Sequence, residues 1–340
     1  MIELLRFIAR RLLFLLFLLF GVALFVFILS HLVPSDPVAA NLSQSALNNP
    51  EIVAAFKEKW GLDQSLFSQL LLYFQHLLTG DLGTSIRTGR PVFDDLMQFF
   101  PATLELSIVA MVIALILGIL FGTISAIFRN KAIDHIIRTV SISGVSVPSF
   151  WFALIMLNIF SSVLGITPGP GRVDARTTTP EGGTGLLLLD SLISGDFQLF
   201  GDVAMHLILP GTVLGFFTMG LIARQTRSNL LEVLSMDYIR TARSKGMKES
   251  AIIVKHAISN AMIPVITVAG IGFCNLLGGM VLVENIFAWP GIGQYAYLSA
   301  VSLDFPAICG VSLLIAFIYV VINLLIDILY GIIDPRVRYK

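Results

Sequence analysis

Leu106–Phe128 reads LSIVAMVIALILGILFGTISAIF, 23 consecutive residues without a charge. A helix rises about 1.5 Å per residue, so a run of this length covers the roughly 30 Å hydrocarbon core of a bilayer. Five further intervals behave alike. Leu12–Leu29 has no polar side chain at all, and the remaining four run from Val140, Ala204, Met262 and Phe305. A charge at mid-span costs about 2.5–3.5 kcal/mol on insertion scales. Six apolar intervals therefore predict six transmembrane helices, near 10–32, 104–128, 140–164, 204–223, 262–283 and 305–331. The fold class is an all-α polytopic membrane protein.

Composition agrees. Of 340 residues, 56% are hydrophobic and 13% charged, against about 25% charged in a typical soluble domain. With 22 basic and 22 acidic side chains the net charge is zero. No basic excess is available to neutralise phosphates, so a nucleic-acid partner is excluded and membrane lipid is the expected surroundings. Cys274 and Cys309 both lie in apolar runs, where cysteine behaves as a small packing residue. The five histidines are scattered along the chain and suggest no metal site. The first apolar run exceeds the 7–15 residues of a signal-peptide h-region and no A-x-A site follows, so it reads as a retained anchor.

Lys and Arg placement sets orientation. With the N-terminus inside, 16 of the 22 basic residues fall in the inner segments, so both termini are expected in the cytoplasm. Residues 1–101 divide into the anchor helix and an extracytoplasmic segment too poor in apolar residues to fold alone. Within it, Asn48-Asn49-Pro50-Glu51 has the pattern of a helix start, and Asp63 is the expected cap of a second helix carrying Leu66, Leu70, Phe74 and Leu77 at helical spacing. Thr167–Gly185, rich in Gly, Pro and Thr, reads as an irregular outer loop. Gly118-x-x-x-Gly122 and Gly211-x-x-x-Gly215 place small residues four apart, which lets helix backbones approach.

The inner segment 224–261 is the most informative. It holds seven basic side chains and reads as two short helices, Leu231–Ser244 and Met247–Ile258, split at Gly246. Glycine ends a helix in the left-handed conformation without a Cβ penalty. Pro264 is expected in the first turn of the fifth span. A bent element on the inner face is a handle for a soluble partner; a solvated basic loop is the plainer reading.

These residues resemble a known family. Arg240-Thr241-Ala242-Arg243-Ser244-Lys245-Gly246 followed by Ile263-Pro264 is similar to the coupling signature of ABC importer permeases, E-A-A-x-x-x-G with a later L-P step. Arg240 stands where that pattern has Glu, and Thr241 where it has Ala. Leu32-Val33-Pro34-Ser35-Asp36-Pro37, Trp60-Gly61-Leu62-Asp63, Gly80-Asp81-Leu82-Gly83, Ala102-Thr103-Leu104-Glu105-Leu106, Asp237–Arg243, Glu284–Gly293 and Asp334-Pro335-Arg336 resemble the dipeptide/oligopeptide/nickel ABC permease family, nearest to its B-type subunit. Ser35 departs from the usual Gly.

The resemblance implies a type I ABC importer permease core over 102–333 in a bacterial inner membrane. It implies four kinds of partner surroundings: a second homologous permease, two ATPase subunits, an extracytoplasmic solute-binding protein, and lipid. Arg240, Thr241, Ala242, Arg243, Lys245, Gly246 and Pro264 would form the ATPase-coupling element. The chain would be a non-catalytic subunit binding no cofactor, with ATP and Mg used by the ATPases; no G-x-x-x-x-G-K-[ST] occurs in it. Di- or oligopeptides are the expected cargo, with nickel chelates, glutathione or another small solute as alternatives. The rival of another class is a self-sufficient secondary transporter or channel. Such proteins often show repeats and helices broken at mid-membrane, whereas these spans read as unbroken.

Polar residues near the spans complete the expectations. Glu105, Glu284 and Trp289 read either as a gate or binding-protein contact or as interface anchors beside a turn. Asn158, Asn275 and Asn323 either line a translocation path or make interhelical hydrogen bonds. Asp327 lies near the inner end of the sixth span, where an acid is a functional candidate.

Overall fold

The computed structural model describes residues 2–32, 38, 42, 44–178, 180, 183–279 and 281–333. Among them the secondary structure is helical, and the only extended pairing is an isolated antiparallel bridge between Thr84 and Pro91. The helices are α1 Ile2–Leu32, α2 Gln44–Leu47, α3 Pro50–Trp60, α4 Leu66–Leu78, α5 Val92–Ile127, α6 Ala132–Ser146, α7 Ser149–Leu157, α8 Leu187–Ser194 and α9 Phe197–Leu234. They continue as α10 Asp237–Ser244, α11 Glu249–Ala251, α12 Ser259–Gly279, α13 Val281–Ile286, α14 Ile292–Val301 and α15 Phe305–Ile333. Wider π-helical turns occupy Asn158–Val163 and Ile252–Ile258. Parts of the Leu32–Pro37 motif, and the whole of Asp334-Pro335-Arg336, lie outside the described residues, as does the side chain of Asp327.

Among the described residues, four helices are long and apolar enough to cross a membrane: Val92–Ile127, Phe197–Leu234, Glu249–Gly278 and Phe305–Ile326. A fifth crossing arises if α6 and α7 count as one span. That pair corrects the expectation of unbroken spans, because its two halves are bent by 104°. Pro148 supplies the cause. The residue before a proline is driven out of the α region, and Val147 is extended at φ −86°, ψ 132°.

Helix limits also differ from the apolar intervals. α5 starts at Val92 rather than 104, and α9 runs on to Leu234 rather than stopping near 223. A charge marks where hydrocarbon ends, but it does not end a helix; a cap or a proline does. The outer-segment cap is corrected as well. α3 begins as read, with Asn49 Oδ1 accepting from the Glu51 N–H and Gly61 closing it in the left-handed conformation. α4, however, is capped by Ser65, whose Oγ accepts from the Ser68 N–H, and not by Asp63.

The chain divides into two compact units, Met1–Ala102 with Pro290–Leu324 and Thr103–Trp289 with Leu325–Lys340. In the first, Val92 and Leu96 of α5 form a core with Ile292 and Tyr295 of α14 and Ala307 and Val311 of α15. Leu82, ahead of α5, packs against this cluster. The second unit is organised by α9, which packs against α6, α7, α8 and α12. Its close contact with α5 depends on the four glycines. A Cβ on Gly118 would lie 2.7 Å from Ile222 Cγ2, and one on Gly122 2.6 Å from the Ala223 carbonyl. In return, a Cβ on Gly215 would lie 2.8 Å from the Ala110 carbonyl. The two small-residue motifs thus serve one helix crossing at different levels, Gly211 and Gly215 against Val109–Ile113 of α5 and Gly118 and Gly122 against Met219–Thr226 of α9.

Candidate functional site

The basic loop is built from an amphipathic helix on a packed base. α9 ends at Leu234, the chain turns through Ser235 and Met236, and α10 begins at Asp237. Ile239 is fully buried and packs with Leu230, Val233, Ile252 and Ala257, with Ala242 half-buried beside them. The other face of α10 exposes Arg240, Thr241, Arg243 and, just beyond its end, Lys245. One short helix is thus anchored by its apolar side and presents a cationic side.

Gly246 closes α10. Its φ is +74°, its N–H donates to the Arg243 carbonyl at 2.9 Å, and the Met247 N–H donates to the Ala242 carbonyl at 3.3 Å. These two bonds make a Schellman motif, which needs a left-handed residue at this position. A Cβ on Gly246 would meet nothing within 4 Å, so backbone conformation alone selects glycine here. Across the turn, Arg243 donates from Nε and Nη2, along one edge of its guanidinium, to Glu249 at 3.1 and 2.6 Å.

Two expectations about this loop change. The first predicted helix, Leu231–Ser244, is the end of α9 plus α10, divided at Ser235-Met236. The second, Met247–Ile258, runs without a stop through the π-helical turn into α12. Pro264 consequently lies inside α12 and not in the first turn of a newly started helix. The break the sequence marks at Gly246 is present; nothing chemical ends the helix after Ile258.

Beneath the loop sits a buried ion pair that the sequence did not single out. Asp134 is 0% exposed and accepts from Arg227 Nε and Nη2, each at 2.8 Å. The Ser125 hydroxyl and the Asn130 N–H, the latter at 2.9 Å, also donate to it. Residues of α5, α6 and α9 are therefore tied together seven residues before the loop turns. A fork-to-fork guanidinium–carboxylate pair fixes direction as well as distance.

Glu105, Glu284 and Trp289 are all interior, with exposures of 4%, 0% and 0%. Glu105 accepts from Arg172 Nη2 at 2.6 Å, from Arg172 Nε at 3.1 Å and from the Leu188 N–H at 2.7 Å. The same guanidinium donates to the Gly185 carbonyl and lies 5.8 Å from the centre of the Trp289 ring. Glu284 accepts from the Thr103 hydroxyl at 2.6 Å. These residues form packed joints, so in this structure none of the three is presented to an outside protein, and Trp289 is not an interface anchor. The joints bind the Thr167–Gly185 segment down: Gly171 donates to the Phe287 carbonyl, and Asp202 accepts from the Asp174 N–H and the Thr177 hydroxyl. Asn158 and Asn275 are exposed, on the π-helical turn after α7 and on α12. The Asn323 amide bonds to the Tyr319 carbonyl one turn back in α15, not to another helix.

Apolar helices long enough to cross a membrane, joined by buried ion pairs and carrying an exposed basic helix, define a multi-pass membrane protein. Comparison with known families makes this specific. Residues 118–339 match the family described as "Binding-protein-dependent transport system inner membrane component", and residues 4–107 match its N-terminal counterpart. The chain belongs to this family, and is a multi-pass inner-membrane component of binding-protein-dependent transport. A probable D,D-dipeptide transport system permease protein of Escherichia coli is 46% identical over 93% of this chain and 93% of its own length. A dipeptide transport system permease protein of Alkalihalophilus pseudofirmus is 43% identical over 97% of this chain and 98% of its own. Among solved structures, an inward-facing form of the MetNI methionine ABC transporter aligns with TM-score 0.49 and 16% identity, covering 68% of this chain and 93% of that one.

Proposed function

We propose that this chain is one of two membrane-spanning subunits of an ATP-driven importer that carries dipeptides or short oligopeptides across the bacterial inner membrane. The observation that carries this reading is the near-full-length identity, 46% and 43%, to permease proteins named for dipeptide transport. A second, similar permease completes the pathway. An extracytoplasmic solute-binding protein delivers the peptide, and two ATPase subunits bind the ATP and Mg. This chain holds no cofactor. In this reading the permease has type I importer architecture, six transmembrane helices and both termini in the cytoplasm.

The loop of α10, Gly246 and α11 is the coupling element. Arg240, Thr241, Arg243 and Lys245 supply an exposed cationic face, and Gly246 gives the bend that lets it enter a groove on an ATPase. Ala242 rests on the packed base, and the helix containing Pro264 carries displacement into the bundle. Asn158, Asn275 and Asn323 are assigned to the translocation path formed with the second permease.

The test is uptake of a labelled dipeptide by cells expressing this chain with its sister permease, ATPases and binding protein. Gly246→Asp is expected to abolish uptake and ATPase co-purification while the chain still inserts. Unaltered uptake in that variant would remove the coupling assignment. Uptake competed by glutathione or a nickel chelate, and not by dipeptides, would replace the substrate.

A further inference from the structure

The first unit contains a cavity of about 440 Å³ that the transport reading does not use. It lies between the C-terminal half of α1, the helices α3 and α4, and the first turns of α15. Its walls are aromatic and aliphatic, with Phe27, Phe56, Trp60 and Phe305 among them, and Cys309 also lines it. This is the size and apolarity of a small-molecule site, in which a few polar groups fix orientation.

Several of the polar side chains around it are already engaged. His31 is bonded through Nδ1 to the Phe27 carbonyl and through Nε2 to Gln69 Oε1. The Gln69 amide nitrogen donates to the Leu62 and Gln64 carbonyls. Lys59 is held by Asp81 at 2.6 Å. The hydroxyl of Tyr73 is buried and has no hydrogen-bond partner. That hydroxyl is enclosed by its neighbours and does not open on the cavity, so the apolar walls set the occupant, which is expected to be an extended apolar chain.

The surroundings indicate where it comes from. Phe25 and Ile28 on α1, and Leu66, Phe67 and Leu71 on α4, are exposed to 43% or more, and the cavity adjoins the apolar helix Phe305–Ile326. A surface of that kind faces lipid rather than water. We infer that the cavity binds one long acyl chain of a membrane lipid, held by its aromatic and aliphatic walls. A phospholipid ester and a free fatty acid share this chemistry.

Native mass spectrometry of the full-length chain, released from membranes in detergent that strips bulk lipid, tests this. One retained adduct per chain is expected, and its mass separates phospholipid from fatty acid. Cys309→Phe, which fills the cavity from α15, should abolish the adduct. Tyr73→Phe removes a hydroxyl that does not open on the cavity while keeping the ring contacts with Phe27 and Phe74, and should leave occupancy unchanged. No adduct on the wild-type chain, retention in Cys309→Phe equal to wild type, or displacement of the adduct by a dipeptide would overturn the inference.

Discussion

Arg172 holds three things at once: the buried carboxylate of Glu105, the Gly185 carbonyl and the face of Trp289. Both members of the ion pair are largely shielded, with side-chain exposures of 13% and 4%. Breaking a buried pair by deleting one partner costs about 3–5 kcal/mol, because the other charge stays buried. Arg172→Ala is therefore expected to lower the thermal unfolding midpoint of the purified chain markedly. Arg172→Lys should fall between the two, since an ammonium keeps the charge but loses the fork that reaches two acceptors. Melting of Arg172→Ala at the wild-type temperature would show that the Glu105 joint contributes nothing. In the sequence, Glu105 was visible as an acid at the edge of an apolar run, but Arg172 was one basic residue in a Gly- and Pro-rich segment. The two are 67 positions apart, and no local pattern links them. Pairing at that distance is set by how the helices pack, which is why the burial of this joint is not legible in the sequence.

At the scale of elements, the crossing of α5 and α9 turns on glycines whose missing side chains leave room for a neighbouring backbone. Helices in lipid have no hydrophobic effect to draw them together, so close packing carries their association. Gly122→Leu would place its branch against Ala223 and Thr226, and is expected to yield aggregated or rapidly degraded protein on size-exclusion chromatography. Gly21→Leu on α1, where an added Cβ meets nothing within 4 Å, should elute as wild type. Equal behaviour of the two would mean the crossing tolerates separation. The spacing of these glycines was legible in the sequence because a repeat of four is a local pattern. The bend between α6 and α7 was equally local, since Pro148 stands in the run, yet an interval judged by its lack of charge conceals a proline. The same blindness hid the length of α9. Lys and Arg side chains end a membrane interval while the backbone hydrogen-bond ladder continues through them.

For the whole molecule, orientation is the property on which the coupling assignment depends, and the basic residues decide it. Sixteen of 22 lie on one side of the predicted spans, and insertion machinery retains Lys and Arg in the cytoplasm. Under the proposed function the loop that carries the exposed face of α10 lies in the cytoplasm, where ATP is, and the Thr167–Gly185 segment lies outside, where a binding protein arrives. Two positions read this directly, because Lys245 and Arg176 are both exposed, while Cys274 is buried and Cys309 partly so. In intact spheroplasts a membrane-impermeant maleimide should label Arg176→Cys at once. Lys245→Cys should react only after the membrane is opened. The opposite order would put the cationic helix outside and leave it no ATPase to meet, and the chain would have to move solute by some other source of energy. Orientation is readable, since every basic residue along the chain contributes to it independently.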